Sequence, residues 1–121
     1  MTLKAEGSNL LMRLMSAATL RRDVLANNIA SQNLPGYRRR DVQFEEVLAK
    51  ELSKGATPAS LDTTRAEIVT DWDTQPRADG NNVAAEVESS QMRENRIRFE
   101  LYAMILKSRT SLVSQAIIHD R

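Results

Sequence analysis

The feature that most constrains the fold of this chain is the segment at residues 27–37, NNIASQNLPGY, which closes a predicted helix. Asparagine and glutamine side chains compete with the helix backbone for hydrogen bonds. Pro35 disfavours the helical conformation at the residue before it, and Gly36 tolerates a positive φ. The helix is therefore predicted to stop near Asn33. Tyr37 follows the turn at once, and we expect its amphipathic ring to anchor the outgoing chain against that helix.

A first long helix is predicted from about Asn9 to Gln32. Its apolar residues fall within one angular sector, and no proline interrupts them. They are Leu11, Leu14, Met15, Ala18, Leu25 and Ile29. This pattern predicts a helix that buries one face against another element.

A second long helix is predicted from Val83 to about Ile118, after the turn and cap residues Asp79-Gly80-Asn81-Asn82. It has two roughly opposite apolar sectors. One holds Ile97, Leu101, Met104, Ile105 and Leu112, and the other holds Phe99, Tyr102, Leu106, Val113 and Ile117. In an antiparallel hairpin the first helix covers only one sector, so either the middle of the chain or another molecule covers the other. The sequence favours another molecule. Ser90 and Glu94 interrupt the stripe, so we expect the first part of this helix to be more solvated.

Residues 38–80 lack sustained periodicity, and most of this segment is predicted to be loop. Glu45 to Leu52 is compatible with a short helix, whereas Glu67 to Asp73 alternates too briefly to separate strand from coil. The chain thus divides into residues 1–37, 38–80 and 81–121, which form one structural domain. The predicted fold class is all-α with an irregular middle segment.

Composition limits the function classes. The 121 residues are 41% hydrophobic and only 4% aromatic, which is little material for a self-contained core. A net charge of +1 gives no general attraction to nucleic acid, and the absence of cysteine excludes disulfides and thiol chemistry. No apolar run is long enough to span a membrane. Residues 1–6 lack the hydrophobic stretch of a secretory signal, so we expect a cytosolic protein or one exported without processing.

No group of residues suits catalysis. His119, the single histidine, lies beside Asp120 without a nucleophile or a second ligand. Glu45, Glu46 and Glu51 are predicted to lie on a solvated helix face. Glycine-rich phosphate loops, serine elbows and zinc motifs are absent from the sequence. We therefore predict no catalytic residue, cofactor, metal site or small-molecule substrate, and no enzymatic activity.

Two polar groups leave alternatives open. Arg38, Arg39 and Arg40 follow an aromatic residue, as in some nucleic-acid sites, but the acidic Asp41 follows them and favours local pairing or a protein contact. Residues 27 and 28, both asparagine, are either the polar face of a fraying helix or hydrogen-bond across helices to fix their register.

The segment from Leu25 to Arg38 resembles the N-terminal signature of the bacterial flagellar rod, hook and hook-associated axial proteins, Ala-Asn-Asn-Ile-Ala-Asn, two residues and Thr-Pro-Gly-Tyr. It departs from that form at Ser31 and Leu34. Within this family, residues 40–44 and 79–83 resemble the FlgB-type proximal rod subunits. The motif residues carried over are Asn27, Asn28, Ile29, Asn33, Pro35, Gly36 and Tyr37.

The resemblance implies a structural subunit whose terminal helices pair in a coiled-coil-like hairpin and stack into a helical tube. Implied partners are copies of itself, other proximal rod proteins, the adaptor that joins rod to ring, and the flagellar export apparatus. The implied location is the periplasmic rod of the basal body, reached by type III export. The expected assembly faces contain Leu11, Leu14, Ala18, Leu25, Ile97, Leu101, Met104, Leu106 and Val113.

A marginal core leads us to expect that the terminal helices order largely on incorporation, when neighbours cover the second face. Two other classes remain open. A helical adaptor or secretion chaperone is folded as an isolated monomer or dimer, and a small nucleic-acid binder using Arg38 to Arg40 has strongly salt-dependent affinity.

Overall fold

A computed structural model describes residues 2–119 of the chain, with the side chains of all of these except residues 2–6, 8, 58 and 59. Long helices lie at both ends, and short elements lie between them. In chain order the elements are α1 (Thr2–Ala30), β1 (Arg40–Gln43), α2 (Glu45–Ser53), α3 (Pro58–Leu61), β2 (Glu67–Thr70) and α4 (Ala85–His119). Helix α1 begins earlier than the sequence predicted, and it ends at Ala30, after which turns lead to Gly36 with a φ of +76°.

The middle segment contains a small antiparallel sheet, so the prediction of an all-α fold with an irregular middle is wrong in this respect. Strands β1 and β2 pair in the register that places Arg40 opposite Thr70 and Gln43 opposite Glu67. Each strand has only four residues, too few for alternation to identify it in the sequence. The predicted short helix from Glu45 is confirmed as α2.

The main apolar cluster lies between α1 and the middle segment. Phe44, directly before α2, and Leu48 within α2 pack against Ala17 of α1. Leu10, Leu14, Leu61 and Ala66 surround this cluster. The middle segment therefore covers one side of α1, while the apolar stripe of α4 that contains Ile97 and Leu101 stays exposed.

Helices α1 and α4 pack against each other in antiparallel orientation. Asn28 near the end of α1 bonds to Glu88 near the start of α4, and the Ala18 carbonyl accepts a bond from Asn95 farther along. The buried residues on this face of α1 are spaced by three, four or seven positions. They are Leu11, Ala18, Arg21, Leu25 and Asn28.

The expectation of a solvated first part of α4 is wrong. Val83, Glu88 and Asn95 are all buried, whereas Ile97 and Leu112 farther along are exposed. The apolar pattern failed here because the buried side chains in this region are mostly polar and carry no hydrophobic periodicity. Within residues 2–119, no helix combines the length and apolar character needed to cross a membrane.

Candidate assembly interface

Asn28 lies at the centre of a polar junction where α1, β1 and α4 meet. Its side chain is fully buried. The amide nitrogen donates to the Arg40 carbonyl at 2.7 Å and to Glu88 Oε2 at 3.0 Å. Its Oδ1 accepts from the Arg40 backbone N–H and from the Tyr37 hydroxyl, both at 3.0 Å. All four hydrogen-bonding positions of the amide are thus used, and Asn28 covers the edge of β1 as a neighbouring strand would.

Arg39 and Glu88 form the buried ion pair of this junction. Arg39 Nε donates to Glu88 Oε1 at 2.6 Å, while its Nη atoms donate to Asp71 and Gln91, both at 3.1 Å. Burial by itself lowers the pKa of Arg39, but the hydrogen bonds to Glu88 and Asp71 and the charges of Glu88 and Asp41 outweigh it and raise that pKa. Arg39 therefore stays charged and joins the sheet to α4.

The segment that precedes α4 caps the end of α1. The side-chain amide of Asn81, which is fully buried, points at three carbonyl oxygens of the turns that directly follow α1. These are the carbonyls of Ser31, Gln32 and Leu34, at 3.0, 3.1 and 2.8 Å. One asparagine thereby fixes the start of α4 against the end of α1.

Asn82 extends the sheet beyond its last strand pair. Its Oδ1 accepts the Arg39 backbone N–H at 2.6 Å, and its Nδ2 donates to the Asp71 carbonyl at 2.9 Å. These are the backbone groups that would bond to each other if the ladder continued. The two neighbouring asparagines thus hold α1 and the sheet respectively.

Gly36 and Gly80 let the turn after α1 and the segment at residues 79–83 approach closely. The Gly36 N–H donates to the Asp79 carbonyl at 2.8 Å. Gly80 has a φ of +86°, and a Cβ built on it would lie 3.1 Å from the Gly36 Cα. Any larger residue at Gly80 would combine an unfavourable backbone conformation with a backbone contact.

A second polar group joins α1, α2 and α4. Both Nη atoms of Arg21 bond to the Glu45 carboxylate, at 3.2 and 2.6 Å, and Nη2 also donates to the Val42 carbonyl. Burial alone raises the pKa of Glu45, but the bonds from Arg21 lower it overall. Burial, and next the Glu45 charge, raise the pKa of Tyr102 on α4. The prediction that Glu45 lies on a solvated face is therefore wrong.

The three consecutive arginines have different surroundings. Arg39 is buried in the junction, Arg40 is exposed, and the Arg38 guanidinium lies 5.3 Å from the centre of the Trp72 ring. Arg39 is paired within the chain, but its hydrogen-bonded acidic partners are the distant Glu88 and Asp71, and the neighbouring Asp41 lies only at 4.0 Å. A shared role of the three as an outer contact surface is wrong, because Arg39 faces inward.

The predicted motif residues divide between the junction and the surface. Tyr37 anchors the outgoing chain as predicted, and Asn28 bonds across helices, whereas Asn27, Asn33 and Pro35 are exposed. Ile29 is half-buried. The hydrogen bond across helices is thus found for Asn28, whereas Asn27 lies on the polar face of α1.

The exposed apolar stripe of α4, hereafter the α4 stripe, consists of the first sector identified in the sequence. Ile97 is 66% exposed and Leu101 is 52% exposed. The other members are Met104, Ile105 and Leu112, which are also exposed. In the second sector, Leu106 is half-buried towards α1 and Val113 is exposed. The middle segment does not cover the α4 stripe within the described part of the chain.

Sequence reasoning missed four buried polar groups, namely Arg39, Asn81 and Glu88 at the junction and Asn95 beside Arg21. Glu88 and Asn95 stand seven positions apart on the face that α4 turns to α1. The same seven-residue spacing continues to Tyr102. It indicates the buried face of α4, but only if polar residues are interpreted as interior residues.

Comparison with known proteins identifies relatives of one kind. No family model matches the chain. The flagellar basal body rod protein FlgB of Cereibacter sphaeroides is 30% identical over 105 residues, which cover 80% of this chain and 82% of the relative. FlgB of Escherichia coli K12 is 30% identical over 97 residues, covering 67% and 70%. FlgB of Bacillus subtilis 168 is 28% identical over 94 residues, covering 71% and 73%.

Proposed function

The chain belongs to the FlgB family of flagellar basal body rod proteins, and we propose that it assembles through its terminal helices into the proximal part of the rod. In this role it is a structural subunit of the drive shaft, without catalytic activity. The observation that carries the proposal is the α4 stripe, a long apolar surface that the described part of the chain does not cover.

The length and position of the α4 stripe suit a contact between subunits. Ile97 and Leu112 are separated by fifteen positions, or about 22 Å along a helix. On the opposite side of α4, Glu88 and Asn95 bond to α1. One helix therefore offers an internal face and an external face, as required of a subunit that packs in a hairpin and against a neighbour.

The polar junction supports this role by fixing geometry. Buried hydrogen bonds are directional, so the contacts of Asn28, Arg39 and Asn81 favour a single helix register and a single exit direction for the middle segment. A subunit in a helical array needs one defined shape, because small angular errors accumulate along the array. We propose that α1 and α4 wind as a coiled-coil-like hairpin and that their far ends order fully only on incorporation.

The expected partners follow from family membership and from the α4 stripe. They are further copies of this chain, other proximal rod proteins and the adaptor that joins rod to ring. The proposed location is the periplasmic rod, reached through the flagellar export apparatus. The assignment to the rod is supported by the FlgB relatives, which are named as basal body rod proteins, and the proximal position is part of the proposal.

The first test is replacement of Leu101 by aspartate, measured by sedimentation and far-ultraviolet circular dichroism over a concentration series. The wild-type chain is expected to gain helicity as larger species form. Leu101→Asp is expected to remain a monomer at every concentration and to keep the helicity that the wild type has when dilute. Burial of a carboxylate in the contact between subunits costs free energy. Leu106→Asp is expected to prevent assembly as well, through the contact with α1.

The matched control is Ser90→Asp, which adds the same charge to an exposed position of α4 before the stripe begins. It is expected to assemble like the wild type. Normal assembly of both leucine variants contradicts the proposal. Full helicity in a wild-type monomer or dimer at every concentration favours a stand-alone helical adaptor instead.

A further inference from the structure

Trp72 is the most exposed of the large apolar side chains in the described part of the chain, at 71%. It lies just after β2, and Asp71 and Asp73 flank it. Exposed tryptophan is uncommon on soluble surfaces, and tryptophan is enriched among the residues that dominate binding energy in protein interfaces. We therefore expect a binding partner to cover the Trp72 side chain.

The turn that presents Trp72 is rigid. Asp71 Oδ1 accepts the backbone N–H groups of Asp73 and Thr74, both at 2.9 Å, and Oδ2 accepts the Thr74 hydroxyl at 2.6 Å. Oδ2 also accepts from Arg39, which ties the turn to the buried junction. One ring face of Trp72 lies against Arg38. A side chain held in this way loses little conformational entropy on binding.

A groove of about 310 Å³ lies between α1 and α4, and its size suits one large side chain. Its walls combine small and apolar residues with three arginines. The apolar part comes from Ala18, Met92 and Phe99, and the arginines are Arg22, Arg93 and Arg96. No acidic residue lines it. A complementary ligand is therefore an aromatic or large apolar side chain that stands beside a carboxylate.

Trp72 does not line the groove, and the main contact of the middle segment with α1 lies on the other side of that helix. Ala17 packs against the middle segment that carries Trp72, whereas Thr19 lines the groove. These two positions are 200° apart around a helix. One copy can therefore insert its Trp72 into a neighbour while its own groove receives another.

We propose that Trp72 of one copy inserts into the α1–α4 groove of a second copy, with Asp73 facing Arg93 and Arg96. This inference rests on the proposed function, since it names a contact within the proposed assembly. The contact is head-to-tail because its two halves are different surfaces, and repetition of such a contact extends an assembly without closing it.

Cysteine cross-linking tests the contact directly, because the chain has no cysteine of its own. Asp73→Cys and Arg96→Cys variants are prepared separately, mixed at concentrations where larger species form, and oxidised. A disulfide between the two variants is expected, since residues that face each other across a contact lie within reach of one. Asp73→Cys mixed with Glu46→Cys, an exposed position on α2, is the control and is expected to yield little.

Substitution of the anchor supplies a second readout. Trp72→Ala is expected to weaken self-association about 30-fold or more, as for a dominant interface residue. The matched control is Ile68→Ala, also an exposed apolar residue of the middle segment, with an expected change of only a few-fold. Both variants are expected to keep the helicity of the wild type.

The outcomes separate this contact from the assembly itself. If the wild type associates and Leu101→Asp does not, but Trp72→Ala associates normally and no mixed disulfide forms, the Trp72 contact is wrong and the assembly proposal stands. If Asp73→Cys forms disulfides only with a second copy of Asp73→Cys, the contact is symmetric and the proposed Trp72 contact is wrong. If no variant and no wild-type sample associates, both proposals fail.

Discussion

The two ends of the α1–α4 hairpin are built from different chemistry. At the junction end, Asn28, Arg39 and Glu88 are buried and fully hydrogen-bonded. Towards the far end α4 exposes large apolar side chains, including Leu112 at 62%. Directional polar contacts favour one arrangement within the chain, whereas an exposed apolar surface gains stability only from an external partner. The junction end therefore gives the subunit its shape, whereas the far end of α4 is available to neighbours.

The largest expected effect lies in the junction. Replacing Glu88 by alanine leaves Arg39 buried without its main partner, which we expect to cost about 3–5 kcal/mol of unfolding free energy. Urea denaturation of the dilute chain measures it. The control is Glu86→Ala, an exposed acidic residue in the same first turn of α4, with an expected change within about 1 kcal/mol. If Glu88→Ala and Glu86→Ala lose similar amounts of unfolding free energy, the junction is not the end of the hairpin that stabilises the chain.

Lowering the pH is expected to have a smaller effect on stability, through Asp71 at the edge of the junction. The Thr74 hydroxyl and backbone N–H, and then Arg39, hold the pKa of Asp71 well below its usual range, although burial opposes them. Because the folded pKa lies below the unfolded value of about 3.9, this contribution is complete above that pH and disappears as the pH falls through the folded pKa.

The wild type is therefore expected to lose more stability than Asp71→Asn between about pH 6 and about pH 3, by on the order of 1 kcal/mol. Urea midpoints at the two pH values measure the difference, and acid effects common to both proteins cancel. Equal losses mean that the bonds to the Asp71 carboxylate do not favour its ionised form.

The smallest effect is expected at the far end. Leu112→Ala removes an exposed side chain, so the unfolding free energy of the dilute monomer is expected to change by no more than about 0.5 kcal/mol. Leu25→Ala, at a fully buried position of α1, serves as the contrasting variant with an expected loss of about 2–5 kcal/mol. A loss above about 1.5 kcal/mol for Leu112→Ala indicates that the chain covers this end of α4 itself.

Several parts of the fold and of the interface were predictable from the sequence. The end of α1, the extent of α4 and the presence of two apolar sectors on α4 follow from local chemistry and helical periodicity, whereas the structure shows that the sector with Ile97 and Leu101 is the exposed one. The motif that links Asn28 to Tyr37 indicated the family, and the short helix α2 was also predicted. The sheet was not predictable, because two strands of four residues carry little pattern and pair across α2 and α3.

What the sequence determined by itself is local: where helices stop, which faces are apolar, and that α4 has one apolar face more than α1 can cover. Only the tertiary structure decided which polar residues are interior. Glu88, Arg39 and Asn81 look like surface residues in the sequence, since charged and amide side chains are usually solvated. They are buried because partners from distant segments satisfy their hydrogen bonds, and such pairing depends on three-dimensional proximity rather than on sequence neighbours.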